Sequence, residues 1–184
     1  MDLVTKTVVD GAEAEACWSF YDRAFEPLRT RAAQRHALTR DEFDDQMIDG
    51  RVIKHIVYHP ENHRLPVGMT TITNDLKAVP LIAPEFYEAR WPKYYAEQAI
   101  WYVGFLAVDP DYHGTGVLAR MIGSICSAVP ARGGVLAADI CQFNEESLML
   151  PETFSRLAGT FSRQPEKLRL DAQVFWGYEF ASSV

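Results

Sequence analysis

Apolar positions along this chain change their spacing from segment to segment, and each change marks an element. Residues 4–9 form a short β-branched run broken by Gly11, which predicts a strand. Over residues 12–25, Ala16, Phe20 and Ala24 recur every fourth position with Cys17 and Tyr21 beside them, an amphipathic helix that Pro27 stops. The next ten residues carry Arg29, Arg31, Arg35 and His36 and read as a solvated loop or helix face. Thr39 with Glu42 three positions on has the spacing of a capping box, so a helix runs to about Ile48 and closes at Asp49 and Gly50. Residues 51–58 and 67–73 are β-branched runs flanking HPENHRLP, and they predict an antiparallel hairpin.

The pattern loosens over residues 74–98, which hold three prolines and five aromatics and are too apolar for a disordered linker. Two readings stand: a lid or substrate wall, with Glu85, Tyr87, Glu88 and Tyr94 facing the ligand, or a helix-bearing insertion packed on the core. Residues 100–108 are then apolar, aromatic and β-branched throughout, as in a strand buried on both faces. Asp109 and Pro110 end it, because Pro110 cannot donate to a ladder. Gly114 and Gly116 follow, and Val117, Leu118, Met121, Ile122 and Ile125 begin a helix. The first amides of a helix lack internal acceptors, and glycines let an anion approach them, so this turn is a candidate phosphate site.

After a turn at 130–134, residues 135–140 predict another short buried strand with Asp139 near its end. A helix carrying Leu148, Leu150, Phe154 and Leu157, interrupted by Pro151, comes next. Residues 168–180 read as a closing strand or hairpin, with Phe175, Trp176, Tyr178 and Phe180 assigned to core and dimer surface rather than to chemistry. The element order predicts a single α/β domain over 1–184, with a central mixed, mostly antiparallel sheet flanked by helices and an aromatic-rich insertion at 74–98.

Composition narrows the function classes. Hydrophobic residues at 48% and charged residues at 23% describe an ordinary globule, and a net charge of −7 argues against nucleic-acid binding. No segment approaches the roughly 20 apolar residues of a membrane span. Cys17, Cys126 and Cys141 show no metal spacing, so reduced thiols, a cytoplasmic location and no metal are expected. His55, His59 and His63 recur every fourth residue, but Pro60 and the β-branched neighbours reject the helix that would align them as ligands.

The run VDPDYHGTGVLARMI resembles the acyl-CoA-binding signature of the GNAT superfamily of N-acyltransferases. Gly116 matches its central glycine, and Tyr112 and Gly114 match common flanking residues. His113 stands where Arg or Gln is usual, and Leu118 where Gly or Ala is usual. The resemblance is specific over residues 100–144. It implies a GNAT-like fold and acetyl-CoA or another acyl-CoA as co-substrate, with its pyrophosphate on the turn formed by His113, Gly114, Thr115, Gly116, Val117 and Leu118. Strand amides at Leu106, Ala107 and Val108 would receive the thioester and pantetheine arm. Asn144 resembles an asparagine that helps hold the cofactor, and it equally suits a helix N-cap before EES.

The implied reaction moves an acyl group from a thioester to the amine of a small molecule or peptide. The superfamily's strand glutamate is replaced here by Tyr102, and its tyrosine acid is missing near Pro151. A phenol with a pKa of about 10 is a poor base at neutral pH, so Tyr102 is expected to orient water or substrate. Asp139 is the nearest alternative carboxylate; core packing for Tyr102 and a buried hydrogen bond for Asp139 are the competing structural roles. Two other functions stay open: an acyl-carrier-protein-dependent N-acyl synthase docking through Arg29, Arg31 and Arg35, and a non-catalytic GNAT-fold binding protein.

Overall fold

Five strands form one sheet in chain order: β1 (Leu3–Lys6), β2 (Ile53–His59), β3 (Asn62–Thr73), β4 (Ile100–Val108) and β5 (Val135–Ala138). The first three pairings are antiparallel and β4–β5 is parallel, so a mixed, mostly antiparallel sheet results. The computed structural model describes residues 1–80, 82–161 and 164–179.

Helices cover both faces. On one face lie α1 (Gly11–Phe25) and α2 (Arg40–Ile48). Their Cys17, Phe20, Tyr21, Phe43 and Met47 pack on Ile56, Tyr58, Met69, Phe105 and Ala107 of the sheet. The expected capping box is present: the Thr39 side chain accepts from the Glu42 N–H, and Glu42 accepts from the Thr39 N–H. On the other face lies α5 (Val117–Ala128), whose Val117, Met121 and Ile125 meet Val57, Val67, Ile72 and Val103. Gly68 of β3 makes that seat close, because a Cβ there would stand 2.5 Å from Val117 Cγ1. The turn preceding α5 is thereby held against the end of the sheet.

The aromatic insertion folds as α3 (Pro84–Arg90) and α4 (Pro92–Ala96). Its Tyr87, Trp91, Tyr94 and Tyr95 join Leu76, Ile100, Tyr102 and Ala137 in one cluster, so it packs on the core. Two further helices, α6 (Gln142–Ser147) and α7 (Leu150–Ala158), follow β5, and Phe154 of α7 packs beside α5. No described helix is long and apolar enough to cross a membrane.

Three expectations change. The first strand ends at Lys6, and Val9 instead enters the core while its N–H donates to the Met47 carbonyl at 3.0 Å. The strand expected over 135–140 ends at Ala138. The closing strand expected over 168–180 does not form in residues 168–179, and Phe180 lies outside the described residues. That segment is tied down by side chains, Lys167 to Glu152 and Arg169 to Glu145, with Leu170 on the β4–β5 cluster. Phe175, Trp176 and Tyr178 are accordingly exposed and form no part of the core.

Candidate active site

β4 is two half-strands with different neighbours. From Ile100 to Val103 it pairs with β5, and at Tyr102 and Val103 with β3 as well. Pairing with β5 stops at Val103 and Ala138, while pairing with β3 continues to Val108. The change falls on a bulge: Thr71 pairs Phe105 and Ile72 pairs Val103, which leaves Gly104 without a partner residue. A glycine inside a buried strand is the signal that could have located this bulge from sequence.

The direction of the free backbone groups follows from strand alternation. The Asp109 N–H donates to the Val67 carbonyl of β3 at 2.9 Å. Successive residues turn their N–H and C=O to opposite sides, so Ala107 also faces β3, while Leu106 and Val108 face the side where β5 has diverged. Of the three strand residues expected at the cofactor, Leu106 and Val108 therefore offer amides to the gap. Ala107 turns its side chain into the core.

At the end of the open half stands the glycine turn. Asp109 Oδ1 accepts from the Asp111 N–H at 3.1 Å, and Thr115 Oγ1 donates to the Tyr112 carbonyl at 2.6 Å, which shapes a short 3₁₀ turn over Pro110–Tyr112. Arg23 of α1 ties the turn to the domain by an ion pair with Asp109 at 2.9 Å. Gly114 and Gly116 have φ of +77° and +87°, which glycine adopts without strain, and nothing lies within 4 Å of a Cβ built on either. Gly116 caps α5, and the first helical bond runs from Arg120 N–H to Gly116 C=O. The amides of Val117, Leu118 and Ala119 are therefore free of helical acceptors. Val117 is buried as the anchor, Leu118 is half-buried, and His113 and Thr115 are exposed. Strand amides without a ladder partner, leading to a helix N-terminus with free amides, are suited to an amide-bearing chain that ends in an anionic group.

Asn144 lies within α6, half-buried, and Cys141 takes the cap position there. The N-cap reading of Asn144 is thus corrected.

Tyr102 and Asp139 come together where β4 and β5 part. The Tyr102 hydroxyl donates to Asp139 Oδ1 at 2.7 Å, and His36 Nδ1 stands 3.6 Å from Asp139 Oδ2. Tyr87 of α3 meets the Tyr102 ring edge-on at 6.4 Å between centroids. Burial first, and the Asp139 carboxylate second, push the Tyr102 phenol far above its ordinary value, and Tyr87 is raised by the same two causes. Tyr102 thus keeps its proton and holds a carboxylate. The Asp139 side chain remains 59% exposed, whereas that of His36 is 16% exposed.

His36 was missed by sequence reasoning, which left it in a solvated segment. Its neighbours fix that segment in place: Arg31 lies over the Phe143 ring of α6 at 4.7 Å, Arg35 pairs with Glu42, and the Leu38 N–H donates to Tyr21 Oη at 2.8 Å. Arg29 pairs with Asp22, so the basic cluster is largely neutralised in place. The three regularly spaced histidines do not converge: His55 is buried with Thr5 and Ser124 hydroxyls at 2.9 Å, while His59 meets the Tyr112 ring. Among the described residues no group of three or more potential ligands could hold a metal ion.

No protein-family model matches the chain, and no curated protein does. Solved structures do. An aminoglycoside acetyltransferase from an uncultured soil metagenomic sample, in complex with sisomicin, is 14% identical over 98% of this chain and 96% of its own, with a TM-score of 0.51. The chain shares the fold of this acetyltransferase. An acetyltransferase of Trypanosoma brucei is 17% identical over 93% of this chain and 100% of its own, at a TM-score of 0.50. An N-acetyltransferase from Staphylococcus aureus Mu50 is 17% identical over 84% and 82%, at 0.51. At these identities the acetyltransferase likeness is one of fold, and the site geometry must carry the chemistry.

Proposed function

We propose that this protein is an acyl-CoA-dependent N-acyltransferase acting in the cytoplasm, with acetyl-CoA or a longer acyl-CoA as donor and a small-molecule or peptide amine as acceptor. One observation carries the reading: the strand whose amides lie open at Leu106 and Val108 runs directly into the open glycine turn at the start of α5. The pantetheine arm takes the vacant strand position and bonds the Val108 backbone, while the pyrophosphate takes the free amides of α5. The thioester carbonyl then lies at the Leu106 N–H beside Gly104, where a fixed donor stabilises the negative charge that develops on its oxygen.

The acceptor amine attacks the carbonyl carbon, a C–N bond forms, the C–S bond breaks, and CoA leaves as the thiolate. Holding both reactants at the fork supplies much of the acceleration. An acceptor of small-molecule class agrees with the aminoglycoside acetyltransferase among the similar structures. Carrier-protein docking has less support, since Arg29 and Arg35 are already paired and Arg31 is stacked.

Calorimetry of acetyl-CoA and longer acyl-CoAs against the native protein and Leu118→Glu tests the reading. An acidic residue in the first turn of α5 favours the helix but repels pyrophosphate, so the fold should persist while Kd rises about tenfold, the equivalent of roughly 1.4 kcal/mol. A native protein that binds none of these thioesters would sink the proposal.

A further inference from the structure

The two oxygens of Asp139 face different side chains. Oδ1 accepts the Tyr102 hydroxyl, and Oδ2 faces His36 Nδ1. Tyr102 sits two residues before the Gly104 bulge, and Asp139 directly follows Ala138, the last residue of β5 to pair with β4. The Tyr–Asp–His line therefore ends at the fork. Three separate elements bring it together: the segment between α1 and α2, β4, and the exit of β5.

Building on the acyltransfer reading, we propose that His36 is the catalytic base that takes the proton from the acceptor amine, with Asp139 and Tyr102 as positioning residues. A carboxylate facing Nδ1 selects the tautomer with hydrogen on that atom, which leaves the Nε2 lone pair free, and it stabilises the imidazolium formed on protonation. Tyr102 fixes the carboxylate by bonding its other oxygen. His36 itself is held on both sides by the Arg31–Phe143 stack and the Leu38–Tyr21 hydrogen bond. A separation of 3.6 Å is longer than a hydrogen bond, as catalytic contacts commonly are before substrate arrives. The titratable groups around the carboxylate are His36, Tyr102 of β4 and Tyr87 of α3.

The proton balance closes within the site. Nε2 takes a proton from the amine as its nitrogen bonds to the carbonyl carbon, and the imidazolium returns that proton to the departing thiolate. The products are the amide and CoA thiol, with His36 neutral again.

Two measurements test this on the full chain. Long-range ¹⁵N–¹H correlation of the imidazoles, assigned with His36→Gln, reads the His36 tautomer. The Nδ1–H form is expected in the native protein, with a shift toward Nε2–H in Asp139→Asn; an Nε2–H native form, or no response to Asp139→Asn, overturns the relay. Thiol release from acetyl-CoA with tyramine, spermidine and a short peptide amine reads the chemistry. His36→Gln should lower kcat about 100-fold at unchanged KM for acetyl-CoA, change the pH dependence of kcat/KM, and leave calorimetric acetyl-CoA binding intact. Free imidazole should partly rescue His36→Gly. A His36→Gln protein as fast as native, with the same pH profile, overturns the base assignment. Failure of the native protein to bind acetyl-CoA at all overturns the acyltransfer reading instead, and the tautomer result still decides the relay.

Discussion

Two tyrosine–carboxylate pairs on the face covered by α1 to α4 are built alike. Tyr58 donates to Glu13 Oε1 and Lys6 bonds Glu13 Oε2, while Tyr102 donates to Asp139 Oδ1 and His36 faces Asp139 Oδ2. They differ in the group at the second oxygen and in where they sit. Lys6 is on β1, at the edge of the sheet that α1 closes. His36 stands at the open fork of β4 and β5, and an imidazole can take up and give back a proton there. Burial alone would raise the Glu13 carboxyl, but its bonds from Lys6 and Tyr58 outweigh that and hold it below its usual range. The same three-part arrangement thus closes one end of the fold and, with histidine in place of lysine, equips the other for proton transfer.

The sharpest way to break this comparison is to make the second cluster like the first. His36→Lys places a cation near Asp139 and removes the imidazole. Structure and acetyl-CoA binding should survive, and thiol release with amine acceptors should fall on the order of 100-fold or more. Retained turnover would mean that the two clusters do the same structural work.

Removing each tyrosine hydroxyl separates the pairs by stability. Tyr58→Phe deprives a half-buried carboxylate of a bond in a closed setting and should cost about 2 kcal/mol in urea unfolding, with kcat unchanged. Tyr102→Phe should cost less than about 1 kcal/mol, because water replaces the phenol at the exposed Asp139 carboxylate, and its larger effect should fall on kcat. Equal losses of stability would argue that both tyrosines serve the fold alone.

How much of this was legible in the sequence depended on whether the signal was local. The Thr39–Glu42 cap, β4 and the Gly114–Gly116 turn each declare themselves within a few residues, through hydrogen-bonding side chains, β-branching and glycine. The meeting of His36, Tyr102 and Asp139 has no such signal, because it exists only once the segment before α2 crosses to the exit of β5. Gly104 lay between, readable as a bulge but not as the point where two paired strands part. The error over 168–179 has the opposite cause: Leu168, Leu170, Val174, Trp176 and Tyr178 alternate as a strand would, yet Lys167 and Arg169 hold the segment through α7 and α6 instead of a ladder.

The smallest expected effect concerns alkaline pH, and it sharpens what the two clusters share. Tyr58 and Tyr102 are each raised far above an ordinary phenol, by burial first and then by the carboxylate each one bonds. In the unfolded chain both lose their protons near pH 10. Above that pH the folded state still binds protons that the unfolded state has released, so folding stability must fall as pH rises. The stabilisation is complete below pH 10 and is lost progressively above it. Urea midpoints followed from pH 9 to pH 11.5 should therefore decline in the native protein and decline less steeply in Tyr58→Phe and in Tyr102→Phe, with the double variant flattest. Since the two phenols lie at opposite ends of the sheet, their contributions should add; a double variant no flatter than either single one would mean that the clusters communicate through the sheet.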